Sequence, residues 1–479
     1  MQQRKEITID FKKGFELLAG AEEKYGFFET WHEGMPLWLY GRDRALNIVS
    51  GITSYSGQTI SSHKIRPLNL IARAWHFLAN VHKMWGNDLI IFTNERHLEK
   101  ELSTGKYYNP FAELAIREYR EAKKVLVFEF PIPMTQKYRS AVYPRYLPLD
   151  FFFFLRQIFS PLAFFYYPRT KKVFAPKLKA SGLFTENEIT ELVRRCYRSA
   201  YFITCYRIFL KLVKWLNPRA VAIYSCMGGF DKFPGVIEIQ PALITDIHSV
   251  YMYPQTPEIK QYLQTRRMVV FSQETKELLA RHGYLRENMI VRQNPKIQYY
   301  FIKNIHPELL EKIPAPPYEL VIVGNWGGSL LGIIKQIVLD IEKNKEVFKD
   351  WNISLVLHPA EENTYKQLKL QKVVVFENHK VSLWGKLARA AATIDIGSTV
   401  IQESSYFGCY NIILKDEKFE SQKDFIDSLC RGYSYKNLVV PQEFIVWFKA
   451  NEQQLKSHII EKNKIIKANH HTWQQQNKT

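Results

Sequence analysis

Two short apolar runs in the second half of the chain, Leu355-Val356-Leu357 and Ala391-Ala392-Thr393-Ile394-Asp395-Ile396, end abruptly at small or polar residues. The first stops at His358-Pro359 and the second at Gly397-Ser398-Thr399. Runs of this kind are written by parallel strands buried on both faces, and the residues just past their carboxyl ends line the ligand crevice of an open α/β sheet. The second junction continues through Val400 to Glu403 and on to Gly408. That stretch reads as a first helical turn whose free N–H groups suit a phosphate. In the plainer reading, His358 and Ser398 only cap elements of the fold; the occurrence of both junctions in one region favours a site.

A chain of 479 residues is too long for one core, so two or three domains are expected. Its 66 basic and 47 acidic residues give a formal charge of +19, a field that attracts phosphates, nucleic acids or an anionic membrane surface. The basic residues are scattered, with enrichment at 171–179 and 456–467, and no base-reading module is visible, so nucleic acid is not expected as a partner. The five cysteines are widely spaced, without Cys-x-x-Cys or a neighbouring histidine pair, and support neither a disulfide framework nor a zinc site. The opening Met1-Gln2-Gln3-Arg4-Lys5-Glu6 lacks the apolar core of a signal peptide, which implies a cytoplasmic protein.

No run of 18 apolar residues occurs. The nearest is 151–167, rich in Phe and Tyr but broken by Arg156 and Pro161. With Lys171 and Lys172 just beyond, it suits a segment lying in a membrane interface. The competing expectation, given slightly more weight, is a buried interdomain helix.

Residues 7–50 read as a lead strand, a helix and a hairpin-like stretch turning at Gly34. Buried-strand patterns at 89–93 and 125–129 flank a helical stretch at 111–122, making one βαβ unit. A long helix spans 187–216 and ends at Asn217-Pro218; strand patterns at 220–224, 235–240 and 268–271 extend the same sheet. Ile313-Pro314-Ala315-Pro316-Pro317 is a stiff connector and the expected boundary between an acceptor-side domain, 1–312, and a second α/β domain, 318–440. The second domain opens with a strand running into Gly324 and Gly327-Gly328, and strands at 353–357, 373–376, 393–396 and 412–414 follow. Residues 441–479 are expected as a final helix with a frayed end after 469.

Two α/β domains, a proline linker, a glycine loop and a final helix together resemble GT-B glycosyltransferases. The run from Gly235 to Pro254, with Glu238, Gln240, Asp246, His248, Tyr251 and Tyr253, resembles a segment of bacterial capsule and lipopolysaccharide glycosyltransferase-like proteins. There a Glu-x-Gln-His-Gly core precedes an Asp-x-His pair and a Tyr-x-Tyr-Pro end. Trp31, Gly34, Trp38, Arg42 and the loop Gly105 to Pro110 resemble the same group. One departure stands out: the chain carries Pro241-Ala242 where the pattern has His-Gly. His358-Pro359 and Gly397-Ser398-Thr399 separately resemble motifs of sialyltransferases, Kdo transferases and glycerophosphotransferases of this fold.

The resemblance implies two Rossmann-like domains facing a cleft, a nucleotide-sugar donor that is CMP- or CDP-linked, and no further cofactor. It implies a donor site of Gly324, His358, Gly397, Ser398, Thr399 and Glu403, and a glycan or lipid-linked acceptor for surface polysaccharide at the inner membrane face. No Asp-x-Asp pair is visible, which agrees with the metal independence usual in the class. Inverting transfer needs a base for the acceptor hydroxyl. Asp246 and His248 are the candidates, with Glu238 as a third that sits inside a strand and suits a structural role equally well. A catalytically silent scaffold of the same fold is the competing class, favoured by Pro241-Ala242.

Overall fold

A computed structural model describes residues 11–51, 67–94, 98–101, 103–130, 141–226, 229–241, 244, 250–305, 316–324, 330–356, 373–377, 383–395, 400–414 and 436–478. The chain divides into two compact units, Met1–Tyr299 and Tyr300–Thr479, and the division falls inside the helix Pro295–Asn304. Each unit is an α/β body built on a parallel sheet, so the expectation of two Rossmann-like units with a C-terminal helix holds.

In the first unit the described strands follow the chain order Leu89–Asn94, Val125–Phe130, Tyr146–Pro148, Ala222–Ser225, Ile237–Ile239, Arg267–Val270 and Met289–Val291. Across the sheet they run third, second, first, then fourth to seventh, every neighbouring pair parallel. Leu89–Asn94, buried along its whole length, lies between Val125–Phe130 and Ala222–Ser225. This explains the apolar run Leu89-Ile90-Ile91-Phe92 that opens it, since both its faces are covered. The expected βαβ unit is present, with Pro110–Glu118 as its helix and Leu89 level with Val125.

The long helix Glu186–Leu216 starts at a capping box formed by Thr185 and Glu188 and stops at Asn217, ahead of Pro218. The side chain of Asn217 accepts from the Asn87 amide at 2.7 Å, which fastens the helix end to the start of the central strand. The expected hairpin forms between Trp31–His32 and Met35–Pro36; Glu33 (φ 50°) and Gly34 (φ 80°) take the left-handed turn that suits strand twist.

The segment 151–167 corrects the expectation of a buried interdomain helix. It forms the helix Asp150–Ile158 followed by 3₁₀ turns over Ser160–Tyr166, and Phe164 and Phe165 are 65% and 80% exposed. Phe151, Phe152 and Phe153 pack inward against the main core, but the aromatic content exceeds what one inner face can cover.

In the second unit the strands in chain order are Tyr318–Val323, Trp351–Val356, Val374–Glu377, Ala390–Asp395, Tyr410–Leu414 and Lys436–Val439. Across the sheet they run third, second, first, fourth, fifth, sixth, all parallel. The final helix, Phe444–Lys478, packs on this sheet and is not frayed after 469 as expected. Leu455, Ile459, Lys462, Ile466, His470 and Trp473 recur at helical spacing on one buried stripe, which holds the end of the helix down. Trp473 stands edge-on to Phe301 at 4.6 Å.

Two polar contacts fix the register of this helix. The buried Lys462 ammonium donates to the carbonyls of Leu387, at 3.0 Å, and Ala390, and burial pulls its pKa below the usual lysine range. The His458 ring donates through Nε2 to the Gly408 carbonyl at 2.8 Å. Gly408 has φ +68°, and a Cβ there would meet the Lys462 backbone at 3.1 Å. Gly408→Ala is therefore expected to destabilise the protein by about 1–3 kcal/mol, from left-handed strain plus a clash with backbone. Chemical denaturation checks this, and a variant as stable as wild type would show that the contact yields freely.

Candidate functional site

The strand order of the second unit reverses between its first strand, Tyr318–Val323, and its fourth, Ala390–Asp395, which are adjacent. In an open α/β sheet the crevice beyond the carboxyl ends of such a pair is where ligands bind. Gly324 is the first residue past one of these ends. It is buried, and its amide donates to the Val356 carbonyl at 2.9 Å, so that N–H serves the sheet and is not available to a phosphate.

Gly397, Ser398 and Thr399 follow the other end within four residues of Asp395, and His358 lies two residues past the neighbouring strand end, Val356; all four lie outside the described residues.

The helix Val400–Tyr406 begins immediately after the second junction and carries Glu403 in its first turn. Glu403 accepts from the Trp384 indole N–H at 2.7 Å, and Trp384 packs edge-on against Tyr300 at 5.4 Å. One carboxylate oxygen is thus fixed by an aromatic donor that sequence reading did not single out. The helix is pinned from below by the buried Asn411. Its side-chain oxygen accepts from Thr393 Oγ1 at 2.8 Å and meets the Ser404 hydroxyl, and its amide donates to Ser405 Oγ at 2.9 Å. Strands four and five and the helix after the junction are thereby held in one geometry.

In the first unit the order likewise reverses between Leu89–Asn94 and Ala222–Ser225. Glu238, a candidate base, lies inside the fifth strand and is 1% exposed. Its Oε1 accepts from the Tyr251 hydroxyl at 2.6 Å and its Oε2 from the Arg266 guanidinium. Arg266 is itself buried and reaches the Tyr262 hydroxyl. With both oxygens engaged by buried donors, Glu238 is placed as a partner in an ion pair rather than as a base, the structural role open to it in the sequence. Asp246 and His248 lie outside the described residues; Pro241 follows the buried Gln240, whose side chain accepts from the Phe271 amide at 2.8 Å.

The family-like residues of the two ends of this unit meet. Arg42 donates through Nε to Glu22 at 2.7 Å and through Nη1 to the Met252 carbonyl, and its guanidinium lies 5.0 Å from the Tyr253 ring centre. Trp38 donates to the same Glu22 at 2.6 Å. Burial pushes the hydroxyls of Tyr251, Tyr253 and Tyr262 well above the usual tyrosine range, so they remain neutral donors. The Asn109 of the Gly105-to-Pro110 loop caps the helix Pro110–Glu118 and donates to the Asn94 carbonyl at 3.2 Å, at the end of the central strand.

A feature missed in the sequence lies on the loop leaving Ala222–Ser225. Asp231 is buried and accepts from the Gly229 amide at 2.8 Å, and Lys232 stands 4.8 Å from the Tyr40 ring. Lys232 keeps part of its surface open, but the protein crowding it lowers its pKa below the usual lysine range. The signal was there to find: Gly228-Gly229 directly after an apolar strand is a close-approach loop. Among the described residues no group of three or more His, Cys, Asp or Glu is arranged to hold a metal.

No protein-family model matches the chain, and no curated protein matches it in sequence. Among solved structures, UDP-GlcNAc 2-epimerase from Methanocaldococcus jannaschii aligns at 13% identity and TM-score 0.41, covering 76% of this chain and 91% of that one. The wall teichoic acid polymerase TagF aligns at 11% and 0.42, covering 86% and 99%. Spinosyn rhamnosyltransferase SpnG, complexed with thymidine diphosphate, aligns at 10% and 0.37, covering 79% and 96%. Alignments at these TM-scores carry no weight for the chemistry of this chain.

Removing Glu238 leaves the Arg266 charge buried without its partner. Glu238→Ala is expected to cost about 3–5 kcal/mol, with a substantial part regained in Glu238→Ala/Arg266→Met. Denaturation of both variants checks this, and a stable Glu238→Ala single variant would return the residue to the pool of candidate bases.

Proposed function

We propose that the chain is a GT-B-type glycosyltransferase that moves a sugar from a nucleotide-sugar donor to a surface polysaccharide or lipid-linked glycan. The observation that carries the reading is the strand order of the second unit. Its switch point falls between the strand that leads into Gly324 and the strand that leads into the junction at 397–399, the stretch whose following helical turn the sequence marks for a phosphate.

In this reading the diphosphate or monophosphate of the donor meets His358 and the hydroxyls of Ser398 and Thr399, with N–H groups at the start of the helix completing the cradle. Glu403, with one oxygen on Trp384, uses the other for a ribose hydroxyl. The base for the acceptor comes from the first unit, from Asp246 or His248, while Glu238 is held in its strand by Arg266 and Tyr251. The donor is a substrate, and no further cofactor enters. The protein works in the cytoplasm at the inner membrane face, where a lipid-linked acceptor is presented; no helix among the described residues is long and apolar enough to cross a membrane.

A silent scaffold of the same fold is the second reading, favoured by Pro241-Ala242 in place of His-Gly. Calorimetry with CMP, CDP, UDP and GDP, followed by donor hydrolysis over a panel of nucleotide sugars, separates the two. Binding with hydrolysis supports the transferase, binding without turnover supports the scaffold, and absence of binding sinks the donor site.

His358→Ala is expected to weaken nucleotide binding by about 1–3 kcal/mol, the worth of a hydrogen bond to a charged oxygen, with the fold intact. Unchanged affinity in a folded variant would remove His358 from the site. Replacing the responsible base, by Asp246→Asn or His248→Ala, is expected to lower turnover by about 10²–10⁴-fold with donor affinity nearly unchanged. Full activity in both would place the base elsewhere.

A further inference from the structure

Much of the surplus positive charge of the chain comes from three stretches that lack acid. Residues 67–87, 151–185 and 192–230 contain no Asp or Glu, while they hold two, six and seven basic residues respectively. These stretches supply three helical regions of the first unit that pack on one another. Phe77 of Pro67–Asn80 lies 5.8 Å from Phe151 of Asp150–Ile158, and Phe152 lies 4.6 Å from Phe209 of Glu186–Leu216. The Tyr201 hydroxyl donates to the Arg156 carbonyl at 2.9 Å, and the Gly86 amide to the Leu216 carbonyl at 3.2 Å.

Each region also leaves large apolar side chains in the open. Ile71 and Trp75, one turn apart, are exposed, and so are Leu212 and Trp215 at the end of the long helix, Trp75 and Trp215 at 72% and 74%. Ile158, Phe159, Phe164 and Phe165 are exposed in the turn region between them. Exposed apolar surface of this extent marks an interaction face. Around it Arg169, Lys171, Lys172, Lys211 and Lys214 are exposed cations.

We infer that this helical face is a membrane-docking surface, with its aromatic and aliphatic side chains set into the interface of an anionic phospholipid bilayer and its lysines and arginines on the headgroups. Three features select this occupant. The face mixes aliphatic Ile and Leu with Phe and Trp, which suits hydrocarbon, whereas a base-stacking surface needs rings alone. A second copy of the chain would bring like charge against like. The unbroken absence of acid over these stretches matches an anionic surface and no neutral one. The inference deepens the inner-membrane part of the proposed function, rests on that part, and is independent of donor chemistry.

The test is flotation of the full chain with phosphatidylcholine vesicles, with and without phosphatidylglycerol, at low and high salt. Wild type is expected to float with the anionic vesicles and to be released only in part by salt, since the apolar contacts are not screened. Phe164→Asp/Phe165→Asp is expected to reduce partitioning by about tenfold or more, since two exposed rings lose their burial in the bilayer. Lys171→Glu/Lys172→Glu should reduce it only where phosphatidylglycerol is present. All these side chains are exposed, and circular dichroism with thermal melting confirms that the variants fold.

The inference is overturned if wild type ignores anionic vesicles, if the variants bind as wild type does, or if they lose binding to a single-stranded oligonucleotide or lose self-association instead. Nucleotide calorimetry on the same variants separates the two readings. Retained nucleotide binding with lost flotation leaves the donor site standing, and flotation without any nucleotide binding leaves the docking surface standing alone.

Discussion

The first unit depends on one buried guanidinium. Arg42 cannot leave its charge in the core unanswered, because an unpaired buried ion costs several kcal/mol, on the order of 3–5. Glu22 answers it from the first helix, and the Met252 carbonyl answers it from a segment 210 positions away. Trp38 takes up another lone pair of the same carboxylate, and the rings of Phe15 and Tyr253 lie at 5.2 and 5.0 Å from the guanidinium. That set ties Trp38, just after the amino-terminal hairpin, to the backbone at Met252 and the ring of Tyr253. Glu238, Tyr251 and Arg266 form a second closed set just beside it, tied to the sheet itself. Of the three candidate bases named in the sequence, Glu238 belongs to this scaffolding.

The second unit solves a similar problem with one lysine. Lys462 reaches carbonyls at the end of the helix Leu383–Arg389 and at the start of the strand Ala390–Asp395, and His458 reaches Gly408. Both groups have their pKa lowered by burial, so the helix docks with a cation held at some cost. The His458 contribution is present above its unfolded pKa near 6.5 and is lost as pH falls from there through its lower folded value, because the unfolded chain takes up the proton first. The elements secured this way, the fourth strand and the helix Val400–Tyr406, are those that flank the proposed donor crevice.

The two units share a plan. Each sheet runs third, second, first, fourth and onward, so each reverses direction next to its first strand. Reversal opens a gap between outgoing connections at the carboxyl edge, and polar side chains can face a ligand there without costing a buried contact. Elsewhere in the first unit, acid-free stretches carry surplus positive charge and exposed aromatic rings together. In the proposed function, binding chemistry and surface chemistry fall on different elements.

Sequence alone determined the elements whose spelling has one physical meaning. Leu89–Asn94 and Ala390–Asp395 open on unbroken apolar runs because both faces are covered, and such runs are legible without coordinates. The hairpin turning at Gly34 and the stop at Asn217-Pro218 are equally legible, because backbone sterics restrict which residues serve there. What only the tertiary structure decided were the partners. Whether Glu238 is a base or half of an ion pair depends on Arg266, which lies 28 positions away and carries no local signature. The tail after 469 reads as polar, yet Trp473 has Phe301 to bury against. The stretch 151–167 reads either as an interfacial segment or as a buried helix, and packing divides it: Phe151, Phe152 and Phe153 lie against the core while Phe159, Phe164 and Phe165 are exposed. Pattern reports how much apolar surface an element has; only packing decides how much of it finds a partner.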